Sequence, residues 1–468
     1  MVTKDDLVKI NDYLWEIPKT YHSNMKVPAL VFATEKMLDE VFRDRSLEQL
    51  VNVASLPGIQ KVAIAMPDIH EGYGFPIGTV AAFSYPDGII SPGGIGYDIN
   101  CGVRLLKSTL LYNDAEPYFE RLAKEMYQAV PSGVGRGGQH KLDNKMLNDI
   151  LKEGVGYLER IGYAQKNDHQ SIESNGILAN ADPSSVSDHA KERGRDQLGT
   201  MGAGNHFVEI DRVDAILDKE RADVFGLKEN QMVVLIHTGS RGLGHQVAAD
   251  YIRVMLKNAG KFGIELPDRE LACVPLSTFY GKTYFNAMAA ASNFAWANRQ
   301  MITWEVRSVF KRIFGEAQGQ LSVLYDVAHN IAKVEEHEIN GRRKRLIVHR
   351  KGATRAFPDQ PVIIPGSMGT ASYVLVGTKE SMKESFGSSC HGAGRSMSRH
   401  AAKKEIQGKK LSDDLKKMGI FVETGSVSGL SEEAPLAYKD IEEVVDVVDK
   451  AHLAEKVAKL RPVVVIKG

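Results

Sequence analysis

The sequence contains little cysteine, no excess of charge and no long apolar run. Only three of its 468 residues are cysteine (Cys101, Cys273 and Cys390), which excludes a disulfide framework and suits a reducing compartment. Lys and Arg total 59, as do Asp and Glu, so an anionic partner must be bound by a local patch. No apolar stretch approaches the roughly 20 residues of a membrane span, and the N-terminal segment has no signal-peptide core. We therefore expect a soluble, cytoplasmic protein with no membrane partner.

The pattern of apolar residues indicates an α/β protein. Buried strands are predicted from short β-branched runs at 232–238, 345–349, 361–365 and 461–467. Helical spacing predicts a long, buried helix over 284–314 and further helices over 112–130, 247–259 and 436–459. The irregular alternation of these elements favours mixed sheets flanked by helices over a regular doubly wound sheet. Length alone suggests about three domains.

The most polar segment of the chain, 166–197, has two interpretations. It is either a mobile excursion or lid over a site, or an ordinary surface loop. Its sequence favours neither, because polar residues and turn formers suit both.

Residues able to bind metal collect beside apolar runs. Asp98 and Cys101 follow the glycine-rich turn SPGGIG (91–96), which a merely buried cysteine would not need. Four histidines come right after an apolar run or near its end: His206, His237, His329 and His391. One such histidine is more often structural than functional. Four of them together with the DxxC pattern indicate a site at the strand ends, where α/β proteins place their ligands.

The donor types restrict the metal without naming it. A thiolate with imidazoles suits zinc, whereas an added carboxylate and open positions also admit manganese, iron or cobalt. The chain has no CxxC or HExxH motif, so a structural zinc knuckle is not expected. If the Cys101 thiolate bridged two ions, they would lie about 3.5–4 Å apart, an arrangement suited to phosphoryl chemistry.

A second distinctive stretch, CHGAGRSMSRHAAKKEIQ, begins at Cys390. Residues from Ser396 onward are predicted to begin a helix, and a helix N-terminus favours phosphate. Arg395 and Arg399 would then share one helix face and bind anions there. His391 is thus a candidate nucleophile toward phosphorus, with Cys390 as its rival. A capping loop with surface arginines is the simpler alternative for this motif alone.

Basic residues supply a third signal. Arg342 to Arg345 are interpreted as a solvated face, but Lys351 begins the segment KGATR, which follows a strand. Together with Arg241, Arg395 and Arg399, this segment is hypothesised to form a phosphate track for a nucleic-acid strand.

At this point the chain resembles the RtcB family of RNA-splicing ligases. The resemblance rests on PDIHEGYGFPIG (67–78), DINCGVR (98–104), GAGNHF (202–207), HTGSRGLG (237–244), AHN (328–330), GSMGT (366–370), HGAGR (391–395) and Lys467 near the C-terminus. These separated motifs occur in the family's order and cover essentially the whole chain. The resemblance implies one catalytic α/β domain over residues 1–468, with a central active-site cleft, in place of several domains.

The resemblance also implies a set of metal ligands. Two Mn²⁺ ions would be bound, one by Asp98, Cys101 and His206, the other by Cys101, His237 and His329. Cys101 would then bridge them, as the spacing had suggested.

His391 would carry GMP from GTP in a phosphoramidate. The guanosine nucleotide would lie among Asn205, His206, Phe207, Val208, Glu209, His329, Asn330, Pro365, Gly366, Ser367, Met368, Ser372, His391, Gly392, Ala393, Gly394, Tyr438 and Lys467. Glu209 and Lys467 would read the guanine edge, since a carboxylate accepts from guanine N–H groups and an ammonium donates to O6. Tyr438 would stack near the base.

The activity implied is GTP- and manganese-dependent joining of RNA 2′,3′-cyclic phosphate or 3′-phosphate ends to 5′-hydroxyl ends, in tRNA splicing or RNA repair. Arg241, Lys351, Arg395 and Arg399 would position RNA phosphates. An accessory activator protein is left open as a further partner. Two alternatives remain: a dinuclear phosphodiesterase, which has no use for His391 or Lys467, and a non-catalytic RNA-binding protein, which needs no DxxC and histidine cluster.

Overall fold

The computed structural model describes residues 2–133 and 137–468. The strands of this part are β1 (Val8–Asn11), β2 (Leu14–Ile17), β3 (Ala29–Phe32), β4 (Ile59–His70), β5 (Ile77–Ser84), β6 (Ile89–Ile90), β7 (Gly102–Leu111), β8 (Phe207–Ile216), β9 (Gln231–Thr238), β10 (Val274–Pro275), β11 (Leu321–Ala328), β12 (Asn330–Ile339), β13 (Arg342–Lys351), β14 (Ala353–Arg355), β15 (Pro361–Ile364), β16 (Ser372–Gly377), β17 (Ser388–Cys390), β18 (Phe421–Thr424) and β19 (Ala454–Lys467). The helices are α1 (Glu35–Val41), α2 (Ser46–Ala54), α3 (Tyr112–Ala115), α4 (Phe119–Ala129), α5 (Asn144–Glu153), α6 (Val155–Arg160), α7 (Asp188–Gly194), α8 (Lys219–Phe225), α9 (Arg241–Asn258), α10 (Phe279–Gln318), α11 (Lys379–Glu384), α12 (Arg399–Glu405), α13 (Gly408–Lys417), α14 (Val427–Glu432) and α15 (Ile441–Lys450). Among the described residues, no helix is both long enough and apolar enough to cross a bilayer.

Two large mixed sheets organise the protein, as the sequence predicts. One has seven strands in the order β1-β2-β3-β4-β5-β13-β12, and the other has eight, seven in the order β11-β7-β9-β8-β19-β16-β15 and the eighth, β18, paired with β19. Most neighbours are antiparallel, but β3 pairs with β4 in parallel, and β18 joins β19 in parallel. Helices flank these sheets, so the predicted α/β class is confirmed.

The long helix α10 forms much of the core beside the eight-stranded sheet. It begins at Phe279, where the Thr278 side chain accepts a hydrogen bond from the Gly281 backbone N–H, and it contains the predicted helix 284–314. Residues 287 to 303 are buried on every side of this helix, which is typical of a helix inside a large core.

Two of the predicted helices differ from those observed. The segment 112–130 forms α3 and α4, which are separated by a 3-10 turn at Pro117, where the missing backbone N–H interrupts the helix. Of the helix predicted over 436–459, only Ile441–Lys450 forms α15; a 3-10 turn over Pro435–Ala437 precedes it, and the chain enters β19 at Ala454. The prediction was wrong beyond Lys450 because Val457 and Leu460 pack in the sheet core.

The polar segment 166–197 is neither a lid nor an ordinary surface loop. Asp168 accepts two hydrogen bonds from the Arg307 guanidinium of α10, at 2.6 and 2.8 Å, and both side chains are buried. Glu173 is also buried and forms an ion pair with Lys333, at 2.5 Å. Buried charged residues therefore attach this segment to the core. The polar composition of the segment gave no indication of these contacts.

Candidate active site

Four neighbouring strands of the eight-stranded sheet bring the predicted metal ligands to one edge. The register pairs Val103 of β7 and Phe207 of β8 with His237 of β9. Ala328, the last residue of β11, pairs with Gly102 of β7. Cys101, His206 and His329 each lie directly beside one of these paired residues in the chain. His206 precedes its strand, contrary to the expectation that each histidine comes at the end of an apolar run.

The ligand atoms of this edge form a continuous cluster. His206 Nε2 lies 3.0 Å from Asp98 Oδ2 and 3.3 Å from Cys101 Sγ. The sulfur lies 3.4 Å from His237 Nε2, which in turn lies 3.4 Å from His329 Nε2. Two groups result, Asp98, Cys101 and His206, and Cys101, His237 and His329, with the atoms of each group within 4.8 Å of one another. Cys101 belongs to both groups.

A buried arginine holds the backbone beneath this cluster. Arg299 of α10 donates to the carbonyls of Asn100 and Thr238, both at 2.8 Å, and so ties together the chain beside Cys101 and the end of β9. Its charge is balanced by Asp326, which also accepts from Arg104 at 2.8 Å. The cluster therefore rests on a buried, hydrogen-bonded support.

The protonation of the cluster fits bound cations. His206 Nδ1 lies 3.0 Å from the Met201 carbonyl, to which it donates, so Nε2 is the ring nitrogen that faces the Asp98 carboxylate. Burial lowers the pKa of His237 and of His329 well below the usual value, so both imidazoles are neutral. A ring nitrogen 3.0 Å from a carboxylate oxygen needs a proton or a metal cation between the two atoms, as at His206 Nε2 and Asp98 Oδ2. These side chains therefore suit metal ions.

The electrostatic surroundings of the Cys101 thiol also fit a bound cation. Burial, followed by the Asp98 carboxylate, raises the pKa of Cys101 well above its usual value. Burial alone would also raise the pKa of Asp98, but His206, His245 and Arg241 lower it. A cation shared by the thiolate and carboxylate would stabilise both negative charges.

His391 lies at the far end of the cluster, with its ring centroid 4.9 Å from that of His329. It follows β17, which pairs with β14. Its Nδ1 lies 2.5 Å from Asp68 Oδ2, and the same oxygen accepts from the His391 backbone N–H at 3.1 Å. In a neutral imidazole whose Nδ1–H donates to a carboxylate, Nε2 is the nitrogen available for attack on phosphorus.

Asp68 is the residue that sequence reasoning missed. It is fully buried on β4 and lies 323 positions from its partner in the chain. The motif PDIHEGYGFPIG contains it, but no role was assigned to it. The available signal was an aspartate inside an otherwise apolar strand run, since buried carboxylates need a partner.

A cavity of about 660 Å³ opens beside His391. The predicted site residues that line it are Asn205, His237, Pro365, His391, Gly392, Ala393, Gly394, Arg395, Arg399 and Tyr438. Glu40, Arg43 and Asp44 also line it. The fold places them there, on α1 and in the turn after it, and no sequence motif had indicated them.

Comparison with known proteins decides the family. The family model described as tRNA-splicing ligase RtcB matches residues 49–468. The chain is 50% identical to the tRNA-splicing ligase RtcB of Thermococcus kodakarensis over 477 residues, which covers 99% of each chain. It is 48% identical to that of Archaeoglobus fulgidus over 477 residues, again with 99% of each covered, and 50% identical to that of Nanoarchaeum equitans over 479 residues, with the same coverage.

The chain belongs to the RtcB family. This membership confirms the resemblance drawn from the motifs, and it makes the protein an RNA ligase. The similarity extends over nearly the full length of both partners in each comparison.

The remaining residues that the RtcB resemblance assigns to guanosine binding do not line this cavity. Phe207, Val208, Glu209, Met368, Ser372 and Lys467 are buried. The Ser367 hydroxyl donates to the Glu433 carbonyl at 2.8 Å, and the Ser372 hydroxyl accepts from the Gly366 N–H at 3.0 Å. Asn330 Oδ1 accepts from the Gly352 N–H at 2.9 Å, which links β12 to the loop beside His391.

Glu209 and Lys467, to which the resemblance assigns the guanine edge, lie on the paired strands β8 and β19. Lys467 Nζ donates to Asn205 Oδ1 at 3.0 Å, and burial lowers its pKa while Glu433 and Glu209 oppose that shift. Burial raises the pKa of Glu209 to about 7, and its Oε1 is buried without a hydrogen-bond partner in the described part of the chain. Both oxygens of the neighbouring Asp211 are also unpartnered there.

The four predicted RNA-phosphate residues fall into two places. Arg241 begins α9 beside Asp98 and is buried, with Nε donating to the Thr200 hydroxyl at 3.2 Å. Lys351 is also buried, and its ammonium donates to the carbonyls of Tyr73 and Phe75. Burial lowers the pKa of Lys351 to about 7. Lys351 thus supports a loop, with one N–H left for another acceptor.

Arg395 and Arg399 lie in the cavity but not on one helix face. The helix begins at Arg399, after the capping Ser398, so the prediction of a helix from Ser396 was wrong. Arg395 lies before the helix in a bridge with Tyr438, and its guanidinium lies 5.1 Å from the centroid of that ring. Both arginines contact Glu433, at 3.2 and 3.1 Å, and this shared carboxylate is what brings them together.

Proposed function

We propose that the protein joins RNA 3′-phosphate or 2′,3′-cyclic phosphate ends to 5′-hydroxyl ends by way of guanylylated His391. The observation that carries this proposal is the contact between His391 Nδ1 and Asp68 beside the metal-type cluster. A phosphodiesterase would need the cluster but not a histidine prepared for attack. The RtcB relatives are named for tRNA splicing, so spliced or broken tRNA is the substrate we propose.

In the first step, His391 Nε2 attacks the α-phosphorus of GTP. An N–P bond forms, the bond from the α-phosphorus to the bridging oxygen breaks, and pyrophosphate leaves. The ring gains positive charge as it attacks, and the Asp68 carboxylate stabilises that charge through Nδ1–H. Glu209 and Lys467 orient the guanine, while Arg395 and Arg399 meet the phosphates.

In the later steps, the RNA end takes over the guanylate. Water opens a cyclic phosphate to a 3′-phosphate, whose oxygen attacks the phosphorus on His391 and breaks the N–P bond. The 5′-hydroxyl of the second strand then attacks the 3′-phosphorus, a P–O bond forms and GMP leaves. Activation is needed because a phosphate monoester offers an alcohol no good leaving group.

The cofactor proposed is a pair of Mn²⁺ ions, one bound by Asp98, Cys101 and His206, the other by Cys101, His237 and His329. When bound, they would neutralise charge on the phosphoryl oxygens and lower the pKa of the attacking hydroxyl. Hard oxygen ligands are few, so Mg²⁺ alone should support ligation poorly.

The geometry also favours His391 over its neighbour. Cys390 is fully buried, and burial, followed by Asp68, raises the pKa of its thiol well above the usual value. A buried neutral thiol is a weak nucleophile.

Three free cysteines fit the proposed cytoplasmic location. One catalytic domain over 1–468 and an accessory activator protein also remain proposals.

The test is to incubate the protein with α-labelled GTP and Mn²⁺ and to measure label on denatured protein. We expect an acid-labile, alkali-stable adduct, as a P–N bond requires. His391→Ala should form none, and Cys390→Ser, the matched control, should form it normally. An adduct in His391→Ala would move the nucleophile elsewhere, and no adduct in the native protein would favour a hydrolase or a binding protein.

A further inference from the structure

Three aromatic side chains lie together beside Asp98, at the end of the cluster that Asp98 and His206 form. Tyr97 immediately precedes Asp98, and 37% of its surface is exposed. Its ring centroid lies 5.4 Å from that of Tyr73 and 6.2 Å from that of His245, which is also exposed. We call Tyr73, Tyr97 and His245 the aromatic platform. No step in the proposed function uses it.

The surrounding structure holds this platform in place. Lys351 donates to the Tyr73 carbonyl and fixes the loop that carries this ring. His245 lies four residues after Arg241 on α9, and the charges of both side chains act on the Asp98 carboxylate, so both lie near it. An aromatic surface and a cation therefore lie next to each other beside Asp98. That combination matches one nucleotide, whose base stacks on rings and whose phosphate binds a cation.

The direction of the reaction says which strand this nucleotide belongs to. Attacking and leaving oxygens lie roughly in line in phosphoryl transfer. The guanylate leaves from the His391 end, beside His329, whereas Asp98 and His206 form the opposite end. The incoming 5′-hydroxyl must approach from that opposite end, where Tyr97 lies.

We propose that the aromatic platform is a nucleobase-binding subsite for the strand that supplies the 5′-hydroxyl. A base near the 5′ end stacks on Tyr97 and His245, and Arg241 contacts the adjoining phosphate. Stacking accepts every base, because each base has an aromatic face. The subsite positions the strand without selecting its sequence. This inference rests on the proposed ligase function.

The test uses RNA whose 3′ end already carries GMP, sealed to 5′-hydroxyl oligonucleotides with one abasic site at the first, second or third position. In the native protein, one abasic position should raise KM for the 5′-hydroxyl strand about tenfold, in line with the known strength of base stacking on aromatic residues. Tyr97→Ala should show the same rise with intact strands and no further rise at that abasic position. Tyr97→Phe, which keeps the ring, should restore the native KM.

Tyr118→Ala is the matched control. Tyr118 is 38% exposed, its ring packs against Phe314 at a centroid distance of 5.3 Å, and it follows β7 at the end opposite to Cys101. It should leave KM unchanged. Guanylylation by labelled GTP should be native in Tyr97→Ala as well, since His391 and its partner Asp68 are untouched.

Two outcomes would overturn the inference. Tyr97→Ala would bind intact strands normally if the platform contacts no RNA, a result also expected of a surface for a protein partner. If the role of Tyr97 were only structural, Tyr97→Ala would raise KM for intact and abasic strands by the same factor, and the abasic site would still raise KM in the variant as it does in the native protein. Failure of the ligase proposal is distinguishable, because the native protein would then seal no strand at all.

Discussion

Replacing Asp68 with asparagine tests the most specific contact of the active site. The side chain keeps its shape, and its amide oxygen can still accept from His391 Nδ1 and from the backbone N–H, which now lie 2.5 and 3.1 Å from Asp68 Oδ2. Only the negative charge is lost. That charge stabilises the imidazole as it becomes positive during attack on GTP, so guanylylation should slow.

The size of the effect follows from the geometry. A hydrogen bond to a charged group contributes about 1.5–3 kcal/mol, which at 1.36 kcal/mol per tenfold change corresponds to about 10- to 150-fold in rate. The assay is single-turnover transfer of label from GTP to the protein. Sealing of RNA that already carries GMP should continue at the native rate, because that step needs no nucleophilic histidine.

Asp44→Asn is the control for a general change of charge in the same cavity. Asp44 lines the cavity, but its oxygens accept from the Ser46 and Glu71 backbone N–H groups, both at 2.8 Å, and none contacts His391. Its guanylylation rate should be native. The reasoning fails if Asp68→Asn guanylylates normally, or if it slows guanylylation and sealing equally.

Three further predictions concern the rest of the site. Cys101→Ala should bind neither Mn²⁺ ion in a calorimetric titration, whereas Asp98→Ala should keep one; two ions in Cys101→Ala would disprove the shared thiolate. Burial and, after it, the Glu209 carboxylate raise the pKa of Asp211, so the native state resists ionisation of this carboxyl. The free energy of unfolding should therefore fall as pH rises from about 4 through that raised pKa. Asp211→Asn should reduce the loss, seen as a smaller drop in the urea midpoint between pH 5 and pH 8 than in the native protein; an equal drop would contradict this. Gly202→Ala would place a Cβ 2.0 Å from Arg241 Nη1 at a φ of +100°, so it should weaken sealing and spare guanylylation, and loss of both would point to general misfolding.

The sequence was informative where one local pattern carried both the strand and the reactive side chain. His237 lies within a β-branched run that was predicted to be a strand, and His329 directly follows an apolar run, so these local patterns also indicated where the histidines lie. Strand ends meet at one edge of a sheet, which is why Cys101 was expected near them. The two sets of potential ligands that the structure brings together have the membership that the resemblance implied.

What could not be predicted depends on contacts between distant parts of the chain. Asp68 meets His391 across 323 positions, and no local pattern relates them. Arg395 and Arg399 are four apart, which suggested one helix face, yet the helix begins later and Glu433 brings them together instead. Spacing predicts a shared face only where both residues are helical.

His329 is the single residue between β11, an edge strand of the eight-stranded sheet, and β12, an edge strand of the seven-stranded sheet. The chain thus passes from one sheet to the other at His329, whose side chain belongs to the cluster. Cutting the gene there to make two complementing fragments would leave Cys101 and His237 on one piece and the sequence from β12 to His391 on the other. Neither fragment would contain the whole cluster. Splitting the gene at this crossing should therefore abolish activity unless the two sheets reassemble.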